Sequence, residues 1–151
     1  MITAEQLIHH FELEPHPEGG YYKRTFLSEN ADFSSIIFLL TTDNFSAFHR
    51  IQSAEQWNWY FGDDILIHEI NTDKTYTKTV LSNQPQRLNF QHIVNGGNWF
   101  ATESSGNFGF ALCGCTVIPA FQFADFELGK RSDLIKSFPQ HSTLITQLTR
   151  P

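Results

Sequence analysis

Cysteine is scarce: Cys113 and Cys115 are the only two among 151 residues. They stand two apart in an extended run, where neighbours on the same face do not easily reach disulfide geometry, so reduced and buried thiols are expected. Basic residues are few as well. Ten Lys plus Arg against sixteen Asp plus Glu give a formal net charge of -6, which argues against nucleic acid as a partner because phosphates reward a basic surface. No apolar run reaches the roughly 18 residues that suggest a membrane span. Met1-Ile2-Thr3-Ala4-Glu5 lacks the basic region and apolar core of a signal peptide, so no membrane partner and a cytoplasmic location are expected. Repeats, low-complexity tracts and linkers are also missing, and a single domain over residues 1–151 is the expectation. A chain of this length buries roughly 70% of the surface its unfolded form exposes, enough for a real core.

What is abundant is aromatic: 15% of residues, fifteen of them Phe, and such residues favour strands. Thr3 and Gln6 match a capping box for a short helix from about 4 to 11, with Leu7, Ile8 and Phe11 on one side. In Glu14-Pro15-His16-Pro17-Glu18-Gly19-Gly20 the prolines forbid helix and the glycines allow positive φ, which predicts an ordered covering loop before a strand at 21–26. The run 34–41 is apolar on both faces, as in a strand buried between two layers. Further strands are expected at 65–70, 75–81, 87–94, 99–103 and 108–118, with Asn95-Gly96-Gly97-Asn98 read as a hairpin turn. Ser132 is placed to cap a helix through about Phe138, and 141–148 can form another. Some eight to ten strands with no helix between them point to an all-β sandwich or barrel.

The stretch Phe48 to Gly62 carries the chemistry. Alternation puts His49 and Ile51 on one face of a first strand and Glu55, Trp57 and Trp59 on one face of the next, read as a hairpin in which Glu55 faces His49. A carboxylate and an imidazole then converge among aromatic walls.

Residues Leu13 to Tyr21, Phe45 to Arg50, Glu55 to Gly62, Gly114 to Pro119 and Phe123 to Leu128 together resemble the DUF985 family, also called cupin type 5, of the RmlC-like cupin superfamily. The resemblance spans nearly the whole chain. It implies a double-stranded β-helix, or jelly roll, with an internal pocket, and a homodimer. The general cupin motifs transfer only in part: His49, Glu55 and Gly62 match the first, with Ile51 where a second His stands. Gly97 matches the second, with Asn95 in place of Pro and Phe100 in place of His.

Two of four metal ligands therefore remain, and no cofactor is expected; His68, His92 and Cys113 are the residues from which a third ligand would have to come. Acid–base chemistry needs less, since a His oriented by a carboxylate can take a proton from carbon near neutral pH. His49 is the expected base, Glu55 its orienting partner and Tyr22 the candidate acid, in a pocket of Ile51, Trp57, Trp59 and Phe100. The resemblance to epimerases of the superfamily makes a sugar or sugar nucleotide the expected small-molecule ligand. A non-catalytic binding module and a metal-dependent enzyme are the alternatives. Asp125 and Glu127 are read as loop tethers and Arg50 as a salt-bridging residue.

Overall fold

The structure is a computed structural model that describes residues 1–151. Helix α1 (Ala4–Phe11) starts in the expected capping box: the Gln6 amide donates to Thr3 Oγ1, and the Thr3 amide donates to the Gln6 side chain at 2.9 Å. It ends at Glu12, whose left-handed φ of 54° closes the last turn. Strands follow as β1 (Glu14–Pro15), β2 (Tyr21–Leu27), β3 (Ser34–Thr41), β4 (Phe45–Arg50), β5 (Ala54–Gly62), β6 (Asp64–Ile70), β7 (Tyr76–Leu81), β8 (Gln91–Val94), β9 (Trp99–Ser105), β10 (Phe110–Ile118) and β11 (Glu127–Leu128). Helices α2 (Arg131–Ser137) and α3 (Ser142–Gln147) complete the chain. Ser132 does not cap α2; Lys130 holds the cap position and Ser132 Oγ turns to Asp133. No helix is long and apolar enough to cross a membrane.

The strands form two antiparallel sheets, one in the order β1-β2-β3-β10-β5-β8 and the other β11-β4-β9-β6-β7. They face each other as a jelly roll. This arrangement corrects two local expectations. β4 and β5 are not a hairpin: β4 pairs with β9 and β11, β5 with β10 and β8, and residues 51–53 carry the chain from one sheet to the other. The Asn95–Asn98 turn likewise joins strands of opposite sheets. Both turns are where their residue types put them, but each strand pairs with a partner remote in sequence, because bridging the sheets buries both apolar faces at once.

Between the sheets lies a core of Phe38, Leu40, Trp57, Ile65, Ile67 and Phe100, closed by Cys113 and Cys115, both free thiols. Each large apolar side chain buried this fully contributes about 1.5–3 kcal/mol. A second cluster, including Phe48, Ile70, Leu134 and Ile145, seats α2 and α3 on the outer face of the five-stranded sheet. A third fixes α1 through Leu7 and Leu13 against Leu39 and Phe110.

Strand alternation thus sends Phe48 outward and His49 inward. Across the inner face of the five-stranded sheet, His49, Phe100 and Glu69 stand in one row of paired residues. At the far end of that row buried Glu69 meets His92 of the other sheet at 2.5 Å and accepts from Asn98 at 3.1 Å, which ties the two sheets together away from His49.

Candidate functional site

Two prolines and two glycines shape residues 14–20 into a tight covering loop. The His16 amide donates to the Gly20 carbonyl and the Gly19 amide to the His16 carbonyl, both at 2.9 Å, with Gly19 and Gly20 at φ of 111° and 77°. The loop is fastened at Glu18, whose carbonyl accepts from the Ala47 amide at 2.8 Å and from the Arg150 guanidinium at 2.9 Å. Fixed in this way, the Glu18 side chain reaches into the barrel. Ser46 Oγ donates to its Oε1 at 2.9 Å, and its Oε2 lies 3.1 Å from His49 Nε2.

There the sheets enclose a cavity of about 40 Å³. Its polar wall is His16, Glu18, Ser34, His49, Glu55 and Cys115; Ile36, Ile51, Val117 and Phe121 supply the rest. Neither Lys nor Arg lines it. His49 stands on the five-stranded sheet and Glu55 on the six-stranded one, so the two face the space from opposite walls. On one wall of the cavity, the buried His16 ring is surrounded by Tyr22, Phe38, Phe121, Phe123 and Phe126, with centroids 4.6 to 6.4 Å away.

The acidities follow from burial. Loss of water pulls His49 down to about 4, with the Ala47 carbonyl partly opposing the shift. Glu55 is pushed up to about 8 by burial and then by the charge of Glu18, against a hydrogen bond from Cys115. Burial also raises Glu18, against His16, the Ser46 hydroxyl and Arg150. Cys115 is raised by burial and by Cys113, so it remains a thiol. His16 is lowered by burial, with Glu18 opposing and His49 reinforcing. At neutral pH the site holds a protonated Glu55 opposite an uncharged His49, an acid and an acceptor separated by environment.

Metal does not suit this donor set. Both His49 nitrogens are occupied, Nδ1 by the Ala47 carbonyl at 2.7 Å and Nε2 by Glu18. Ile51 lines the cavity in an apolar role, Phe100 lies against the His49 ring at 4.1 Å, and no three His, Cys, Asp or Glu are arranged to hold an ion. The residues considered as a third ligand are engaged elsewhere: His68 between Tyr76 and Glu103, His92 with Glu69, and Cys113 near the Phe38 carbonyl.

Of the residues named from the sequence, His49, Glu55 and Ile51 line the cavity and Trp57, Trp59, Phe100 and Tyr22 do not. Trp57 is core, edge-on to Phe38 and Phe100. Trp59 donates Nε1–H to the Asp63 carbonyl at 2.8 Å and stacks on Phe90 away from the cavity. Tyr22 packs against His16 outside it. The carboxylate partner of His49 is Glu18 rather than Glu55, because β4 and β5 lie in different sheets. Sequence reasoning missed His16, Glu18 and Cys115 as site residues. The available signal was the loop itself: a His and a Glu held between prolines and glycines. Arg50 does form an ion pair, with Glu127 at 2.7 Å, which tethers β11 to β4.

Comparison with known proteins places this fold among relatives. The family model described as Cupin superfamily (DUF985) matches residues 5–129. Protein SO0799 from Shewanella oneidensis is 35% identical with a TM-score of 0.95, covering 100% of this chain and 99% of that one. A hypothetical protein from Leishmania major is 30% identical with a TM-score of 0.93, covering 99% and 100%. A cupin-2 domain protein from Rhodospirillum rubrum shares the fold at 11% identity and a TM-score of 0.65, over 90% of this chain and 87% of that one. No curated protein matches.

Proposed function

The chain belongs to the DUF985 family of the cupin superfamily, and from the cavity that this fold builds here we propose a metal-independent isomerase or epimerase of small hydroxy-carbonyl compounds, up to the size of a sugar. One observation carries the reading. A carboxylic acid on one sheet, Glu55, faces an imidazole on the other, His49, paired with Glu18 of the covering loop, and burial has moved Glu55 and His49 in opposite directions.

In this scheme the Glu18–His49 pair accepts a proton from the carbon next to the substrate carbonyl, and Glu55 gives its proton to the carbonyl oxygen. The product of that step is a neutral enediol. Return of a proton from the pair to the other face, or to the neighbouring carbon, and of the enediol proton to Glu55 completes the reaction with no cofactor and no net proton change. Glu18 replaces Glu55 in the orienting role expected from sequence. Glu55 takes the acid role for which Tyr22 was the candidate.

Size and charge narrow the ligand. A cavity needs roughly 10–15 Å³ to hold one water, so about 40 Å³ admits only the reacting end of a substrate. Without a lining cation, the diphosphate of a nucleotide sugar has no partner inside, which favours free sugars and short hydroxy-ketones. The test is proton NMR in deuterated water with such compounds. Enzyme-dependent loss of the signal next to the carbonyl, absent in Glu55→Gln and Glu18→Gln, is expected; no exchange with any of them would overturn the reading.

The same small volume favours, second, a binding module that holds a ligand without turning it over. Protection from thermal unfolding by a hydroxy-ketone, with no deuterium uptake, is what that reading expects.

A further inference from the structure

We infer that Ser34 sets the specificity of the cavity: its hydroxyl donates to a second oxygen of the ligand, on the carbon beside the carbonyl that meets Glu55. The inference rests on reading the cavity as a site for hydroxy-carbonyl compounds, and its test measures binding rather than turnover.

One hydroxyl hydrogen carries it. Ser34, at the start of β3, is 2% exposed and lines the cavity. Its Oγ accepts from the Phe121 amide at 2.9 Å and makes no other hydrogen bond within the protein. A hydroxyl has two lone pairs and one hydrogen. The Phe121 amide takes up a lone pair and fixes the oxygen in place, so the hydrogen is left with no protein acceptor. Buried donors are satisfied as a rule. Here the acceptor has to enter the cavity: water in the free protein, an oxygen of the ligand in the complex.

Strand register supplies the second half. On the six-stranded sheet Val117 of β10 pairs with Ser34 on one side and with Glu55 on the other. The three form one row, and paired residues point to the same face, here the cavity. Two strand spacings separate Ser34 from Glu55, roughly 10 Å between backbones, and the longer Glu55 side chain covers more of that span. A ligand lying over Val117 thus meets a donor at each end, Glu55 at its carbonyl oxygen and Ser34 at the next oxygen along, with His49 on the facing wall. Other polar groups do not compete for this role, because Glu18 and His49 are engaged with each other and the Cys115 thiol is a weak donor. A simple ketone leaves the Ser34 hydrogen unmet, and a hydroxy-ketone meets it.

The experiment uses hydroxyacetone and butanone, which have nearly the same shape and differ by a hydroxyl in place of a methyl. Each is titrated into the full chain while the Val117 methyl signals are followed by NMR. The ratio of the two affinities is expected to move about 5-fold against hydroxyacetone in Ser34→Ala, the worth of one hydrogen bond. Ser34→Cys, with a weaker donor at the same position, is expected to fall between wild type and Ser34→Ala. Loss of the Phe121 anchor alone would weaken both ligands together and leave the ratio unchanged, and desolvation of each ligand is the same in every variant. An unchanged ratio, or no response of Val117 to either compound in wild type, overturns the inference. Failure of the isomerase reading looks different: hydroxyacetone is then favoured through Ser34 but exchanges no deuterium.

Discussion

His49 Nε2 lies 3.1 Å from Glu18 Oε2 while its Nδ1 lies 2.7 Å from the Ala47 carbonyl oxygen. A carbonyl oxygen can only accept, so Nδ1 carries hydrogen. Nε2 and Glu18 therefore share a single proton, and burial, which raises Glu18 and lowers His49, keeps it on the carboxyl as acid and neutral imidazole. The pair is then neutral overall, which is how a fully buried carboxyl and imidazole avoid leaving an isolated charge.

Replacing Glu18 separates its charge from its hydrogen bonds. Glu18→Gln can still accept from Ser46 and donate to His49, and it is expected to fold with little loss of stability. Glu18→Ala leaves Ser46 Oγ and His49 Nε2 without partners and is expected to cost about 1–3 kcal/mol. Denaturant titration of the two variants measures the difference.

Glu55 makes stability depend on pH. Its acidity is weaker in the fold, at about 8 against an ordinary 4.5, so the folded state holds a proton that the unfolded state has released between those values. The contribution is fully present below 4.5 and is lost as pH rises through 8. In wild type relative to Glu55→Gln, stability is expected to fall by up to about 1.4 kcal/mol per pH unit across this window. His49, pulled down to about 4 from 6.5, works the other way: its contribution is lost as pH falls from 6.5 through 4. Unfolding curves of wild type, Glu55→Gln and His49→Gln at pH 5, 6, 7 and 8 separate the two.

Gly19 fixes the covering loop and with it Glu18. A Cβ there would fall 2.1 Å from the Phe45 carbonyl oxygen, at a φ of 111° that other residues rarely adopt. Gly19→Ala is expected to lose about 1–3 kcal/mol from backbone strain alone. It should also displace Glu18 from His49, read as a shifted His49 titration by NMR.

Trp57 and Trp59 are expected to behave differently although they are two residues apart. Trp57→Ala removes a fully buried ring and is expected to cost about 3–5 kcal/mol. Trp59→Phe keeps the stack on Phe90 and loses one hydrogen bond to the Asp63 carbonyl, about 0.5–1.5 kcal/mol. Ligand binding should survive the second change, since Trp59 lies away from the cavity. Thermal unfolding and ligand titration check both.

The sequence by itself determined the strands, the turns and the family. A continuous apolar run marks β3, alternation marks β5, the capping box marks α1, and motifs from Leu13 to Leu128 identify a cupin, because these signals are local or lie in a fixed order along the chain. It also determined that His49 and Glu55 face inward, since each is set by the period of its own strand. Tertiary structure alone decided which strands pair. The turns at 51–53 and 95–98 look like hairpins in sequence but cross between sheets, because a jelly roll buries both inner faces by pairing strands remote from one another. That crossing parts Glu55 from His49 and lets the 14–20 loop bring Glu18 and His16 to the cavity from more than thirty positions away. Their acidities could not be read from residue type either, because the loss of water that sets them exists only once the two sheets have closed.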